Sequence, residues 1–301
     1  MGSPPERLLR RLEWRLGRRL DGRLQGAYRT IWHGAGVDFT DLRTYTAEDD
    51  VRHIDWNVTA RLDEPFVRQY TEDREFTAWL VVDRSASMRF GAHEGKDSVA
   101  TELAVSLARL VSQGGNRVGA ILFDNAAQRV IPPRTGRDQI LRIAHELLKP
   151  SPAAKPKRSG TPAAGTDLTA MLNLAAKTTA SRRSLLFLIS DFIGDPGWDR
   201  PLGRLTHRHE VVVVRIVDPA ELDLPDLGLI LVEDAETGEQ LLVDTSDPLL
   251  RGRLAGEVDA RETELAAVMR RAGVAAHRIT TDQDLLSALV RMVRTAGQVR
   301  R

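Results

Sequence analysis

Five oxygen-bearing side chains form the part of this sequence that could do chemistry together. Asp83, Ser85 and Ser87 alternate directly after an apolar run, so on an extended loop their side chains point the same way. Thr166 stands just before a predicted helix, and Asp191 closely follows another apolar run. Carboxylate and hydroxyl oxygens suit a hard divalent cation such as Mg²⁺, with Mn²⁺ or Ca²⁺ as alternatives. The spacing therefore predicts a metal site made only of oxygen ligands.

An alternation of strands and helices from residue 76 onward explains how these residues could meet. Near-continuous apolar runs predict strands covered on both faces, and apolar residues three or four apart predict helices between them. This alternation predicts an α/β fold with an open, mostly parallel, doubly wound sheet, and such sheets place ligands at the carboxyl ends of their strands. The predicted strands are Phe76–Val82, Val118–Phe123, Leu185–Ile189 and Val211–Val217, and the predicted helices cover 97–113, 136–148, 167–180 and 198–207.

The last 75 residues follow a less regular pattern. The apolar segments Leu229–Val232 and Gln240–Val243 flank an acidic turn, which predicts a hairpin. Periodic apolar residues then predict a long helix over 247–272 and a final helix over 283–296. A short strand at 276–280 is expected between them.

The first 75 residues fall into two segments with different patterns. Within the segment 1–30, leucines at four-residue spacing among arginines predict an amphipathic basic helix over 6–25. That helix either docks on the body with a solvated basic face or serves as a handle for an acidic partner or a membrane surface. In the segment 31–75, alternating apolar and polar residues over 54–58 predict a half-buried strand, with Trp56 buried against the next domain.

The overall composition excludes several classes of protein. The 43 basic and 42 acidic residues give a net charge of +1, so nothing global favours nucleic acid as a partner. The absence of cysteine excludes a disulfide scaffold, a thiolate metal site and a cysteine nucleophile. No apolar run approaches the roughly 20 residues that cross a bilayer, and the N-terminus lacks a secretory pattern. We therefore expect a cytoplasmic protein.

The residues alone leave other interpretations of Asp83 open. It could simply cap a turn beside two ordinary serines, or it could be the nucleophile of a metal-dependent phosphohydrolase or nuclease. Such hydrolases usually carry a second carboxylate two residues on, where this chain has Ser85. The chain also lacks a glycine-rich phosphate loop and a Gly-x-Ser-x-Gly turn. These patterns favour a non-enzymatic binding role.

The set Asp83-x-Ser85-x-Ser87, Thr166 and Asp191 resembles the metal-ion-dependent adhesion site of von Willebrand factor A domains. The resemblance implies that the two serines and the threonine approach the metal, while the aspartates act largely through water or hydrogen bonds. It also implies binding rather than turnover. Mostly neutral direct ligands leave the cation short of negative charge, so it favours a carboxylate from another molecule.

A second resemblance covers most of the chain from about residue 30. The stretches 36–45, 49–56 and 59–61 look like the signature of the DUF58 family, although Glu48 stands where the family commonly has glycine. Genes of this family often neighbour those of MoxR-type AAA+ ATPases, which implies an adaptor or co-chaperone that serves such an ATPase and a client bearing an acidic residue.

Together the patterns predict three segments. Residues 1–30 hold the basic helix, residues 31–75 hold the DUF58 signature region packed on the core, and residues 76–301 form a von Willebrand factor A-like domain.

Overall fold

The chain has 301 residues, and a computed structural model describes most of them. The described residues are 3–20, 41–46, 51, 54, 56–62, 64–69, 76–89, 95–124, 127–150, 166–223, 226–233 and 240–298. The helices are α1 (Pro4–Leu20), α2 (Trp56–Leu62), α3 (Lys96–Gln113), α4 (Arg137–Leu147), α5 (Leu168–Thr178), α6 (Asp199–Arg208), α7 (Pro219–Leu222), α8 (Pro248–Arg271) and α9 (Leu285–Gln298). The strands are β1 (Asp41–Thr44), β2 (Phe66–Gln69), β3 (Thr77–Asp83), β4 (Arg117–Asp124), β5 (Ala127–Arg134), β6 (Leu185–Ser190), β7 (Glu210–Val217), β8 (Leu229–Glu233), β9 (Gln240–Asp244) and β10 (Ala275–Thr280).

A six-stranded sheet forms the centre of the molecule, in the order β10-β7-β6-β3-β4-β5. Neighbouring strands are parallel except for β5, which runs antiparallel to β4 at one edge. The inner strands are almost entirely apolar because helices cover the sheet on both faces. The predicted α/β class, with an open and mostly parallel sheet, is confirmed.

Two apolar layers hold the helices against the sheet. On one face, α1, α3, α4 and α9 contribute to a core that includes Leu9, Leu103, Ile143 and Leu289. On the other face, α5, α6 and the C-terminal part of α8 pack in the same way. Helices on both faces make the sheet doubly wound. The helices do not cover the ends of the strands, and polar residues stand there.

The N-terminal helix lies on the body of the molecule. Leu9 and Leu12 are buried in the core on the side of α3 and α4, and Arg11 forms an ion pair with Glu102 of α3. The four-residue leucine spacing therefore gives a docked face, as the first of the two interpretations expects. The helix begins at Pro4 and ends at Leu20, and residues 21–30 lie outside the described part of the chain.

The expectation of a half-buried strand over 54–58 was wrong. Trp56 begins the helix α2, and 68% of its surface is exposed. Five alternating residues are too few to distinguish a strand from a helix, because Val58 and Leu62 also stand at the four-residue spacing of a helical face. Nearby, β1 and β2 form a separate two-stranded antiparallel sheet. The remaining residues of the signature region lie outside the described ranges, and its predicted bounds stay a prediction.

Two further features bear on function. Strands β8 and β9 form the predicted hairpin, which is separate from the central sheet. Within the described residues, no helix combines the length and the apolar character that a membrane span requires.

Candidate functional site at the carboxyl edge of the sheet

The carboxyl ends of the neighbouring strands β3 and β6 bring the two halves of the predicted site together. These strands are parallel, and Val82 is level with Ile189. The next residue on each strand is therefore also level, which sets Asp83 beside Ser190. The Ser190 hydroxyl donates a 2.7 Å hydrogen bond to Oδ2 of Asp83, across 107 residues of sequence. Asp191 follows at once on the same edge.

The carboxyl group of Asp83 is fully buried and held on both of its oxygens. Its Oδ1 accepts a 2.9 Å hydrogen bond from the backbone N–H of Ser85, and its Oδ2 accepts from Ser190. Burial, with the nearby negative charge of Asp191, raises the pKa of Asp83 from 3.8 to about 6. At neutral pH this carboxylate is ionised, although its surroundings disfavour the negative charge. A nearby cation would stabilise that charge.

Three hydroxyl groups converge beside Asp83. The Oγ atoms of Ser85 and Ser87 lie 3.0 Å apart, and Ser87 Oγ lies 3.4 Å from Oγ1 of Thr166. Neighbouring ligands of an octahedral Mg²⁺, with bonds of about 2.1 Å, lie about 3.0 Å apart. The spacing of these oxygens therefore fits the edges of a divalent-cation coordination shell.

Gly194 determines how closely the two loops of the site approach. A Cβ atom at this position would lie 2.3 Å from the backbone oxygen of Thr166, so only glycine fits without moving the backbone. The turn between Asp191 and Gly194 is tight: Ile193 N–H donates to Asp191 Oδ1 at 3.0 Å, and Phe192 has a φ of 57°. This turn thus places Asp191 and Thr166 at the same edge.

Sequence reasoning missed a buried lysine. Lys96, the first residue of α3, is 0% exposed, and its ammonium donates to Asp191 Oδ2 at 2.7 Å and to Glu221 Oε1 at 2.5 Å. One weak signal was available, because a basic residue in the first turn of a helix opposes the helix dipole. Its partners lie 95 and 125 residues away, where no local pattern could identify them.

Glu221 is itself fixed by local structure. Asp218 caps α7, and its backbone N–H donates to Glu221 Oε2 at 3.2 Å in a reciprocal capping box. A hydrogen bond from Thr281 to Asp218 ties this short helix to the end of β10. Lys96 therefore joins the predicted site to the chain just after β7.

Arg84 anchors the loop that carries the two serines. Its side chain is largely buried, and its guanidinium donates to the backbone carbonyls of Glu146 at 3.3 Å and Lys149 at 2.8 Å. These bonds attach the end of β3 to the C-terminal end of α4. The serine loop is consequently supported on the side away from Asp191.

The donor set determines which cations these residues could hold. No cluster of three or more His, Cys, Asp or Glu side chains suited to a metal occurs among the described residues. A cation at this edge would depend instead on the hydroxyls of Ser85, Ser87 and Thr166. The carboxylates of Asp83, Asp191 and Glu221 outnumber the ammonium of Lys96 by two charges. The guanidinium of Arg215, which donates to the backbone carbonyl of Asp191, is itself paired with Glu262. Hard oxygen donors and a local negative charge fit a divalent cation of the Mg²⁺ type.

The open, mostly parallel sheet, with helices on both faces and a polar carboxyl edge, is a doubly wound α/β fold. The chain belongs to the DUF58 family, whose profile, described as "Protein of unknown function DUF58", matches residues 41–264.

Relatives match along nearly the whole chain. The uncharacterized proteins Rv1480 of Mycobacterium tuberculosis and Mb1516 of Mycobacterium bovis are each 37% identical over 286 residues, which is 95% of this chain and 87% of theirs.

Similar solved structures include BatB from Bacteroides thetaiotaomicron and the SpRpn10 VWA domain. BatB has a TM-score of 0.45 and 14% identity, covering 75% of this chain and 100% of its own. The SpRpn10 domain has a TM-score of 0.38 and 14% identity, covering 72% and 93%.

Proposed function

We propose that this protein is a non-enzymatic, metal-dependent protein-binding module. In this proposal Ser85, Ser87 and Thr166 hold a divalent cation, Mg²⁺ or alternatively Mn²⁺ or Ca²⁺, and Asp83 and Asp191 support it through water or hydrogen bonds. The observation that carries the proposal is the convergence of three hydroxyl oxygens, at 3.0 and 3.4 Å, beside a fully buried aspartate.

The chemistry of the donor set favours a carboxylate as the partner's contribution. A divalent cation held mainly by neutral hydroxyls retains strong attraction for a further hard, negative ligand. The two aspartates of the site already have partners in this chain. Asp83 accepts hydrogen bonds from Ser85 and Ser190. Asp191 accepts from Lys96 and Ile193. The additional ligand would therefore be an Asp or Glu from another protein.

The same engagement argues against the hydrolase alternative. A nucleophilic Asp83 would need a free carboxylate oxygen facing its substrate, yet both oxygens accept hydrogen bonds and the residue is 0% exposed. Phosphatase and nuclease assays with Mg²⁺ or Mn²⁺ test this directly. Activity that is lost in Asp83→Asn would replace the binding proposal with the hydrolytic one.

For partners, the family resemblance supports a MoxR-type AAA+ ATPase, with this chain as adaptor or co-chaperone for a client that supplies the acidic residue. We place this activity in the cytoplasm, with no nucleic acid involved. A peripheral membrane contact through residues 6–25 is the competing role for the basic helix.

Metal titration by calorimetry tests the site itself. We expect the wild-type protein to bind Mg²⁺ or Mn²⁺ and the double variant Ser85→Ala/Ser87→Ala to lose that binding with an unchanged far-UV CD spectrum. Ser106→Ala is a matched control, because Ser106 is also buried but donates to Glu102 within α3. Unaltered binding in the double variant would refute the proposal.

Pull-down with the ATPase and with candidate clients tests the mode of binding. Binding through the metal should fail in EDTA and in Asp83→Ala and should tolerate high salt. Docking through the basic helix should instead tolerate EDTA, weaken in high salt and fail when the exposed Arg7 and Arg10 are replaced by Glu. The second pattern would contradict the metal-dependent mode.

A further inference from the structure

Lys96 is a buried ammonium group placed between two carboxylates at the carboxyl edge of the sheet. Its side chain is 0% exposed, that of Asp191 is 1% exposed, and that of Glu221 is 19% exposed. Apolar side chains of similar volume often replace a buried ion pair without loss of stability. The stability of the fold alone therefore does not explain a charged lysine at this position, and a role in the site is the alternative.

The ammonium group of Lys96 acts on the carboxylate of Asp191. It donates to Oδ2 at 2.7 Å, and the backbone N–H of Ile193 donates to Oδ1 at 3.0 Å, so both oxygens already accept a hydrogen bond. Arg215 lies nearby, but it donates to the backbone carbonyl of Asp191 and its guanidinium is paired with Glu262. Lys96 thus fixes the orientation of the Asp191 carboxylate and neutralises its charge.

The other aspartate of the site is held in a different way. Asp83 accepts hydrogen bonds from the backbone N–H of Ser85 and from the hydroxyl of Ser190, and both donors are neutral. These contacts leave the negative charge of Asp83 in place, whereas the charge of Asp191 is paired with Lys96. A cation beside the hydroxyl groups would therefore face one aspartate that keeps its charge and one that is largely neutralised.

We infer that Lys96 is a positioning residue that lowers the affinity of this edge for a divalent cation and keeps the cation dependent on a carboxylate from outside. The inference rests on the proposed function. A cation that experienced the full charge of both aspartates would bind more tightly and would attract a third carboxylate less strongly. Because Lys96 neutralises Asp191, that attraction remains for the Asp or Glu of a partner protein.

Glu221 moderates the effect of Lys96. Its Oε1 accepts a hydrogen bond from the same ammonium group, and the capping box at Asp218 fixes its Oε2. The negative charge of Glu221 therefore reduces the positive charge that Lys96 presents to Asp191. Loss of the ammonium group should strengthen cation binding, and loss of the Glu221 charge should weaken it. A network that only supports the fold would loosen in either case, and cation binding would weaken in both.

Titration of the purified full chain with Mn²⁺, followed by the electron paramagnetic resonance signal of the free ion, tests the inference. Lys96→Met should lower the Kd for Mn²⁺ by about 10–100-fold, which is the usual scale for groups that hydrogen-bond to a metal-supporting side chain. Glu221→Gln keeps the shape of the side chain and should raise the Kd about threefold, because its charge acts through Lys96. Lys177→Met should leave the Kd unchanged. Lys177 is an exposed lysine in the last turn of α5, at the end away from Thr166.

A charge-matched double variant keeps the test valid if Lys96→Met alone fails to fold. Lys96→Met/Glu221→Gln removes one positive and one negative charge, so the net charge of the edge is unchanged. We expect it to bind Mn²⁺ more tightly than Glu221→Gln does. In both variants that lack the ammonium group, a fixed concentration of Mn²⁺ should raise the melting temperature more than in the wild type.

The outcomes separate this inference from the proposed function. If the wild type binds Mn²⁺ through Ser85 and Ser87, but Lys96→Met and the double variant bind it equally or more weakly, the inference is overturned and the metal site stands. If neither the wild type nor any variant binds Mn²⁺, both are overturned. Tighter binding in Lys96→Met that disappears when Ser85→Ala/Ser87→Ala is added would support both.

Discussion

The carboxyl edge of the sheet and the β8–β9 hairpin reverse the usual distribution of polarity in opposite ways. At the edge, Asp83, Asp191 and Lys96 are charged groups removed from water, and each is held by named hydrogen bonds. On the hairpin, leucines are left in water. Buried charge is stable only where its partners are fixed, whereas exposed apolar side chains are a normal part of a protein surface. The edge is therefore the more tightly constrained of the two regions.

The largest effect should come from removing the ammonium group of Lys96. Lys96→Met leaves Asp191 buried without its counter-ion, and breaking one side of a buried pair costs about 3–5 kcal/mol of unfolding free energy. Urea denaturation measures this loss. Lys149→Met, which removes a partly exposed lysine paired with Glu146, should cost about 1 kcal/mol or less.

A charge-neutral double variant checks that interpretation. Lys96→Met/Asp191→Asn removes the uncompensated charge and should recover part of the lost stability. If the double variant is less stable than Lys96→Met alone, packing rather than charge explains the effect.

The next effect concerns pH in metal-free protein. The pKa of Asp83 is raised from 3.8 to about 6, so the folded protein favours the protonated carboxyl group. The stability gained from that proton is fully present below the unfolded pKa of about 3.8 and is lost as pH rises through about 6. The total is on the order of 3 kcal/mol at 1.36 kcal/mol per pH unit. The difference in unfolding free energy between the wild type and Asp83→Asn should follow this titration.

That difference is the correct readout because histidines titrate in the same range. Burial lowers the pKa of both His209 and His277, so each contributes stability that is lost as pH falls. A difference between wild type and variant that stays constant from about pH 4 to pH 7 would contradict the burial argument for Asp83.

A smaller effect tests how tightly the edge is built. Gly194→Ala introduces a Cβ atom against the Thr166 backbone and should destabilise the protein by about 1–3 kcal/mol and weaken metal binding. Gly203→Ala is the matched control, because its Cβ would meet nothing within 4 Å and α6 should gain about 0.5–1 kcal/mol. Equal melting temperatures for the two variants would show that the edge relaxes.

The smallest effect is expected for an exposed apolar side chain outside the hairpin. Trp56→Ala should change the unfolding free energy by less than about 0.5 kcal/mol, because 68% of the side chain is already in water. A larger stability loss would mean that Trp56 contacts part of the protein, and the hairpin would no longer stand apart from other exposed surface.

The sequence predicted the central fold because its strands carry an unambiguous pattern. Runs such as Leu185–Ile189 are apolar at every position, so they require cover on both faces. Once the strands were predicted, the positions of their carboxyl ends were predicted too. Asp83 and Asp191 come just after two of these ends, so they were expected to meet at one edge. Every strand and helix predicted from residue 76 onward is present, with ends within three residues of the expected ones.

The features that were missed depend on contacts distant in sequence or on alternatives of similar energy. In the sequence Lys96 looks like a surface lysine, because its ion pair with Glu221 of α7 forms only in the folded protein. Trp56 has neighbours that fit either a short helix or a strand, and the surrounding chain decides between them. The hairpin itself was predicted, but the alternation of its residues cannot show whether another element covers them.

The hydrogen bond between Ser190 and Asp83 has a consequence for how the protein is made. A ribosome that adds about 5–20 residues per second needs roughly 5–20 s to travel the 107 residues between them. Until then β3 lacks the parallel neighbour β6, and Asp83 lacks one of its two hydrogen-bond donors. The edge can form only after Ser190 and Glu221 have been made, so a nascent chain that ends before them cannot present it.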